Sequence, residues 1–210
     1  MANYEELLEC IINEIKHNKS NKIVPVGISN RHIHLSQQAV IKLFGEGYEL
    51  TQLKPLSQTG QFACKECVTL CGPKGVIEKV RVLGPVRQET QVEILMSDTF
   101  KLGVPGKVRM SGDIRNTPGL TLIGPKGSLE LEEGVIVASR HIHMSEEEAA
   151  SFNVVDKEEV SLKVPGIRGG ILDHVMIRVD KSFKLECHLD TDEANAMGIT
   201  PGLNLEIIKK

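Results

Sequence analysis

Two histidine pairs in repeated surroundings carry the clearest chemical signal in the sequence. The stretch SNRHIHLSQQAV spans residues 29–40, and ASRHIHMSEEEA spans residues 138–149. Both contain Arg-His-Ile-His followed by an apolar residue and a serine, and four of the seven histidines belong to these pairs. A single His-x-His tripeptide is a weak signal, but a repeat with shared flanking residues is much stronger.

On an extended backbone, the two imidazoles of each pair could bind one metal ion together. In a strand, side chains two residues apart point to the same face, so His32 and His34 aim at one point while Ile33 faces the other way. The same holds for His141 and His143, whereas residues two apart on a helix diverge. Two imidazoles on one face suit a divalent metal such as zinc. The competing interpretation is an old duplication with hydrogen-bonded core histidines; the shared flanks favour metal binding.

A further histidine stands in similar surroundings near the end of the chain. In ECHLDTDEANAMG, residues 186–198, His188 is followed by an apolar residue, capping residues and a short predicted helix. This order resembles the one after each His-x-His pair, so His188 is a candidate additional ligand. His17 and His174 lack these surroundings and are interpreted as ordinary histidines.

The cysteines give a weaker metal signal. CKECVTLC places Cys64, Cys67 and Cys71 in one stretch, and the Cys-x-x-Cys spacing occurs in zinc knuckles. There is no second Cys pair, and Cys71 ends an apolar run, where cysteine packs as a small hydrophobe. Cys187 would be a nucleophile only with a lowered pKa. We favour packing for the CKECVTLC run.

The composition predicts a globular chain rich in strands. Its 210 residues fit one large or two small domains, with 40% hydrophobic and 25% charged residues. Aromatic residues are only 3%, so the core is built from Val, Ile and Leu, which favours strands. A net charge of -3 with both signs interspersed argues against a coat for nucleic acid or an anionic membrane surface.

The expected location is the cytoplasm. The first residues, MANYEELLEC, are acidic and lack the basic region of a secretory signal. No apolar run approaches the roughly 18 residues of a membrane span. Five cysteines, an odd number, suggest reduced thiols. Apolar residues at helical spacing predict an N-terminal helix over residues 3–16, packed on the main body rather than serving as a docking peptide.

The rest of the chain reads as short strands with a few capped helices. Helices are predicted after Ser36, after Ser145, where Glu148 completes a capping-box spacing, and after Asp190 or Thr191. Each repeat is therefore a strand, a His-x-His and a capped helix, which predicts two related β units. Gly and Pro separate the strand-like runs, which are IVPVGIS, VTLCGPKGVIEKVRVLGP, TQVEILMS, LTLIGPKGSLELEEGVIVA, EEVSLKV, HVMIRVD and LNLEIIK.

Four longer stretches resemble a known enzyme family. GISNRHIHLS, GPVRQETQVEI, GPKGSLELEEGVIVASRHIHMS and CHLDTDEANAMG resemble the PduL-type phosphotransacylases, also called phosphate propanoyltransferases, from about residue 20 to the end. The resemblance implies a mainly β fold of two small β-barrel domains with short capping α-helices, here with an added N-terminal helix. We divide the chain into a first barrel of residues 1–30 plus 139–210 and a second of residues 31–138.

The resemblance also implies two zinc ions per chain. One would be bound by His32, His34 and Glu93. The other would be bound by His141, His143 and His188. Three protein ligands per ion leave a coordination position open, as in catalytic zinc sites. Family position selects Glu93 over Glu89, since both lie on the same face of the predicted strand.

Substrate-binding residues follow from the same resemblance. Arg87 would bind phosphate, and a guanidinium fork suits that ligand. The coenzyme A contacts would be Ile28, Ser29, Asn30, Lys54, Arg81 and Asn195.

The function implied is a phosphate acyltransferase that exchanges coenzyme A and phosphate on a short acyl group. The reaction would be propanoyl-CoA + phosphate = propanoyl phosphate + CoA, or its acetyl counterpart, by direct attack of phosphate at the dinuclear zinc site. Two other classes stay open: a dinuclear zinc hydrolase of acyl thioesters, and a non-catalytic metal-binding module. The partners expected are acyl-CoA and phosphate, without nucleic acid or membrane. A homodimer is the working hypothesis, and association with a bacterial microcompartment is not favoured.

Overall fold

A computed structural model of the protein describes Leu8 and residues 22–209. The helix predicted over residues 3–16 lies outside the described residues, apart from Leu8. The prediction of a mainly β, barrel-based fold is confirmed: within residues 22–209, one closed barrel and one curled half-barrel sheet carry four short helices. In this part of the chain, no helix has the length and apolar character that crossing a bilayer requires.

The closed barrel has six strands, numbered here along the chain. Strands β11 (His141–Met144) and β14 (Glu186–Asp190) run antiparallel, while β11 runs parallel to β13 (Gly170–Val179) and β1 (Ile23–Ser29) runs parallel to β14. Around the barrel, the neighbours follow the order β1 (Ile23–Ser29), β14 (Glu186–Asp190), β11 (His141–Met144), β13 (Gly170–Val179), β12 (Glu159–Val164) and β15 (Asn204–Ile208).

The second sheet has nine strands. Strand β3 (Gln52–Pro55) pairs only with β4, off the main path. The remaining neighbours follow the order β7 (Val108–Arg109), β10 (Val135–Ala138), β6 (Gln91–Glu93), β2 (His32–Ser36), β5 (Val76–Arg87), β4 (Phe62–Cys71), β8 (Leu120–Ile123) and β9 (Ser128–Leu131).

Three of the helices begin where the sequence predicts them. They are α1 (Gln37–Phe44), α3 (Glu146–Phe152) and α4 (Thr191–Met197). The side chain of Ser36 caps α1, and Ser145 and Asp190 each form a capping box, so a hydroxyl or carboxylate ends each histidine-bearing strand and starts a helix.

One predicted strand is shorter than expected. The run TQVEILMS forms a strand only over Gln91–Glu93, and the chain then turns into α2 (Asp98–Leu102), which the sequence reading missed. This helix has only five residues, so its sequence shows no apolar periodicity from which a helix could be predicted. Its first residue, Asp98, forms a tertiary ion pair with Arg31 at 2.7 Å, and the same carboxylate accepts locally from the backbone N of Leu95 at 3.0 Å.

The strands that lead into the two histidine motifs are exchanged between the sheets. β1 precedes β2 in the chain but pairs with β14 in the barrel, and β10 precedes β11 but pairs with β6 in the other sheet. Each motif therefore begins where the chain crosses from one sheet to the other. The two crossings tie the sheets together beside both histidine pairs. The division into domains after residues 30 and 138 stays a prediction.

Each sheet has its own hydrophobic core, and the middle residue of each motif belongs to it. Ile33 is fully buried in the core under the nine-stranded sheet, and Ile142 is fully buried in the core of the barrel. Strand alternation thus places the apolar residue inward and the flanking histidines on the opposite face. The cores anchor both histidine pairs.

Replacing Ile142 with Ala should lower the free energy of unfolding by about 2–5 kcal/mol, because it leaves a cavity in the barrel core. Urea denaturation checks the value. Ile171→Ala in the same barrel is the matched control, since Ile171 is 59% exposed and should cost far less. Equal losses for the two variants would contradict the placement of Ile142.

Candidate metal centre

The first candidate metal site joins β2 and β6. His32 lies directly opposite Glu93 in the antiparallel register, and His34 projects from the same face. The Nε2 atom of His32 is 3.3 Å from Glu93 Oε2, and that of His34 is 4.0 Å from Oε1. The donor atoms of all three residues lie within 4.8 Å of one another. Two imidazoles and a carboxylate form a donor set that zinc accepts.

The second candidate site repeats this arrangement in the barrel. His141 on β11 lies directly opposite His188 on β14. The ring centroids of His141, His143 and His188 are 4.7–5.0 Å apart, and their donor atoms also lie within 4.8 Å of one another. In both sites the first histidine of the pair faces the third donor across an antiparallel ladder.

The exchanged strands complete the correspondence. Gly27 on β1 pairs with His188, and Ile136 on β10 pairs with Glu93. Each of these residues stands five positions ahead of the first histidine of its own motif. In each site the third donor, Glu93 or His188, therefore lies between a His-x-His strand and the leading strand of the other repeat.

Backbone carbonyls orient the first histidine of each pair. His32 Nδ1 donates to the carbonyl of Asn30, and His141 Nδ1 donates to that of Ser139, both at 2.8 Å. A carbonyl accepts only, so the proton is fixed on Nδ1 and the Nε2 lone pair is available. This is the outer hydrogen bond that metal-bound histidines commonly make.

His143 provides the sharpest test of whether these residues fit a metal. It is only 5% exposed, and neither ring nitrogen has a hydrogen-bond partner among the described residues. Its ring stacks on Phe183 with centroids 4.0 Å apart, so its orientation is fixed. Buried polar atoms are normally paired. His143 is thus not a hydrogen-bonded core histidine, and a metal would satisfy one of its two unpaired nitrogens.

Burial keeps most of the imidazoles neutral. It lowers the pKa of His34 to about 3, that of His141 to about 4 and that of His143 to about 2, and neighbouring cationic groups add to the effect. At neutral pH each of these rings therefore keeps one unprotonated nitrogen, whose lone pair can bind a metal.

Glu93 is the buried anion of the first site. Burial alone would raise its pKa, but the adjacent His32, its hydrogen bond and His34 hold the pKa well below the usual range. Burial acts against protonation of His32, yet Glu93 raises the pKa of that ring overall. Gln91 Nε2 donates to Glu93 Oε1 at 2.6 Å, and Ser111 Oγ donates to it at 3.2 Å. Glu89 is exposed in the bend after β5, so the two glutamates do not share a strand.

Both sites open into one cavity of about 440 Å³. Arg87 lines it, with Nη1 donating to Ser111 Oγ at 3.3 Å, and so does Arg81, which donates to the carbonyl of Lys65 at 2.7 Å. Asn195 is exposed on α4, outside the cavity wall. The other predicted coenzyme A residues that line the cavity are Ile28, Ser29, Asn30 and Lys54.

The arginine of each repeated motif has a role that the sequence did not reveal. Arg31 Nε lies 2.7 Å from Asp98 Oδ2, and Arg140 Nε lies 2.7 Å from Glu193 Oε1. Each acid stands five positions after the third donor of its site. We call these two ion pairs the clamps, because each ties the start of a histidine motif to the helix that follows the third-donor strand.

Glu186 is a second residue that sequence reading missed. Its Oε2 lies 2.8 Å from His188 Nε2, and it also accepts a hydrogen bond from Ser57, in the bend after β3. Glu186 faces His143 across the ladder, as Gln91 faces His34 in the first site. The sequence contains a signal for this correspondence, because Gln91 and Glu186 each stand two positions ahead of the third donor of their site.

The cysteines take no visible part in the cavity. Cys187 is fully buried in the barrel core, and burial raises the pKa of its thiol. Burial also raises the pKa of Cys64 to about 11. None of the cysteines in the described part of the chain lines the cavity. A thiol held in its neutral form is a poor nucleophile.

Fold and site together define a class: a β protein in which two repeats present matched three-donor candidate metal sites to one shared cavity. Comparison with known proteins gives the family. The sequence model of the phosphate propanoyltransferase family matches residues 25–200 of this chain. The chain belongs to the phosphate propanoyltransferase family and is an enzyme of the acyltransferase class.

Similar proteins carry the same description over most of their length. A phosphate propanoyltransferase of Thermotoga maritima is 57% identical over 84% of this chain and 85% of its own. One from Clostridioides difficile is 51% identical over 98% and 99%, respectively. A third, from Listeria monocytogenes, is 46% identical over 98% and 97%. The resemblance in the sequence is thereby confirmed.

Protein purified with zinc should contain about two zinc ions per chain, and the His188→Ala variant should contain about one, because only the second donor set loses a ligand. Elemental analysis measures both. His174→Ala is the matched control, since His174 is exposed and hydrogen-bonds Glu159 away from the cavity. Unchanged zinc in His188→Ala would remove that residue from the metal site.

The Arg140–Glu193 clamp should show a coupling of about 1–3 kcal/mol in a double-mutant cycle of unfolding free energy, because both groups are largely buried. Arg140→Gln and Glu193→Gln suit the cycle, since Gln at residue 193 preserves the capping box. The exposed pair Lys163–Glu206 is the control and should give at most about 1 kcal/mol. Similar couplings for both pairs would argue against a clamp.

Proposed function

We propose that this enzyme exchanges coenzyme A and phosphate on a short acyl group, propanoyl or acetyl, at a dinuclear zinc site. The observation that carries the proposal is the pair of three-donor sets facing one cavity in a chain of this family. The cavity also holds Arg87 and Arg81, so it has cationic groups for the phosphates of both substrates.

The metal ligands proposed are those of the two donor sets. His32, His34 and Glu93 would hold one zinc, and His141, His143 and His188 would hold the other. Zinc bound there supplies Lewis-acid polarisation of carbonyl and phosphate oxygens. Imidazole and carboxylate donors also accept cobalt and other divalent ions.

Arg87 is the proposed phosphate ligand. Burial lowers the pKa of its guanidinium, while the charge of Glu93 opposes that shift, so the group stays cationic at neutral pH. Ser111 contacts both Arg87 and Glu93, which places the guanidinium beside the first metal site. A guanidinium fixed in this way can orient a phosphate oxygen toward the acyl carbon.

The proposed coenzyme A contacts lie on the wall formed by the end of β1 and by strands of the other sheet. Ser29 and Asn30 lie where the chain crosses between sheets, and Lys54 and Arg81 line the same cavity from the other sheet. Arg81 Nη1 donates to two carbonyls, those of Cys64 and Lys65, leaving its remaining donors for a phosphate. Asn195, exposed on α4, would contact coenzyme A only outside the cavity.

We propose direct transfer, which the groups at the cavity support. A phosphate oxygen attacks the thioester carbonyl carbon, a C–O bond forms, the C–S bond breaks and coenzyme A leaves as the thiolate. No protein nucleophile is required, and the buried neutral thiols of Cys64 and Cys187 could not act as one. The protein's part is to hold the two substrates together and to exclude water.

The surroundings proposed for the enzyme are the cytoplasm, with acyl-CoA and phosphate as its partners. The cysteines described by the structure are free thiols, which supports a reducing compartment. We propose a homodimer and no attachment to a microcompartment; sedimentation velocity on the full chain tests the first point.

The decisive assay measures thiol release from propanoyl-CoA by the zinc-loaded enzyme, with and without phosphate. Release that requires phosphate and yields an acyl phosphate is the expected result, with sequential kinetics. Release without phosphate would identify a zinc hydrolase. No release by zinc-loaded protein would favour a metal-binding module, and ping-pong kinetics with a trapped acyl-enzyme would contradict direct transfer.

Arg87→Ala should raise the KM for phosphate by about 10- to 100-fold, because a charged hydrogen-bonding group is lost. The KM for propanoyl-CoA should change by less than about 3-fold. Arg115→Ala, which removes an exposed arginine outside the cavity, is the control for charge. Equal losses for both substrates would remove Arg87 from its assigned role.

A further inference from the structure

Arg178 is a second arginine at the cavity, supplied by the barrel. It lies on β13, directly beside His143 of β11 in the parallel register. It lines the cavity that Arg87 and Glu93 also line. Arg87 stands at the end of β5 in the other sheet. The two guanidiniums therefore approach one space from opposite sheets.

The guanidinium of Arg178 is positioned without being paired. Its Cζ lies 5.5 Å from the centroid of the Phe183 ring, and Phe183 stacks in turn on His143. This contact with an aromatic face holds the guanidinium in place. Among the described residues, Arg178 makes no ion pair or hydrogen bond, so its donors are available to a ligand.

The charges around Arg178 leave room for an anion. Asp156 and Glu93 attract it only through space, and the backbone N of Val179 already donates to Asp156 at 2.9 Å. Glu93 is the one carboxylate that influences both arginines, and it is a proposed metal ligand. The positive charge of Arg178 adds to the effect of burial in lowering the pKa of Arg87, as expected for two cations that share a site.

We propose that Arg178 is a second phosphate-binding residue, which binds the phosphoryl group from the barrel side while Arg87 binds it from the other sheet. The ligand is inorganic phosphate in one direction and the phosphoryl group of the acyl phosphate in the other. Two guanidiniums match the charge and the several acceptor oxygens of a phosphate dianion. The inference rests on the proposed function, and it adds that phosphate bridges the two sheets.

The same guanidinium chemistry could serve the diphosphate of coenzyme A, and separate kinetic constants distinguish the two sources. In Arg178→Ala the KM for phosphate should rise by about 10- to 100-fold, while the KM for propanoyl-CoA should change by less than about 3-fold. A rise in the KM for propanoyl-CoA alone would assign Arg178 to coenzyme A and overturn the proposal.

Arg178→Lys guards against a folding defect, because it keeps the charge and the aliphatic stem but loses the planar fork. It should raise the KM for phosphate by about 3- to 10-fold. Arg168→Ala, which removes an exposed arginine elsewhere in the barrel, is the matched control and should leave both KM values unchanged.

Phosphate binding can also be measured without turnover. Adding phosphate to zinc-loaded protein, at ionic strength matched with chloride, should raise the Tm of the wild type and of Arg168→Ala. The Arg178 variants should keep their zinc and lose most of that rise.

An unchanged phosphate KM in both Arg178 variants, with lower zinc content or a lower Tm in the absence of phosphate, would show that Arg178 only supports Phe183 and His143. The proposed function fails separately, if wild-type enzyme releases thiol without phosphate.

Discussion

Antiparallel pairing between a His-x-His strand and its neighbour is the constraint on which the site depends. It places Glu93 opposite His32 and His188 opposite His141, so the third donor of each set is fixed by strand register. A slip of one residue would turn the donor to the other face. Val92 and Cys187, the buried residues that precede the two donors on their strands, resist that slip, because their side chains would leave the core.

Strand exchange makes two such sites into one cavity. Since each leading strand belongs to the other repeat's sheet, neither histidine pair is positioned by its own sheet alone. The clamps reinforce the crossings, and they are joined: the backbone N of Ser97, next to Asp98, donates to Asp192, next to Glu193, at 2.8 Å. A polar chain therefore runs from Arg31 to Arg140. These contacts connect the two sheets beside the cavity, and the proposed reaction depends on a site that holds two substrates together.

The sequence predicted the parts of the site that are governed by local rules. Strand alternation and serine caps were enough to orient His32 and His34 and to place α1, and repetition did the same for the second motif. The third donor was different, because nothing local separates Glu93 from Glu89; only strand register and the bend after β5 do so. Helix α2 and the clamps were missed because they arise from tertiary contacts, which leave no periodic pattern.

The proposed function requires two metal ions, one bound by each donor set within the shared cavity. Anomalous diffraction at the zinc edge, from crystals of the zinc-loaded protein, tests this most directly. It should show two sites, each about 2.0–2.2 Å from the donor atoms of one set. A single ion shared by residues of both sets, or zinc bound elsewhere, would contradict the account.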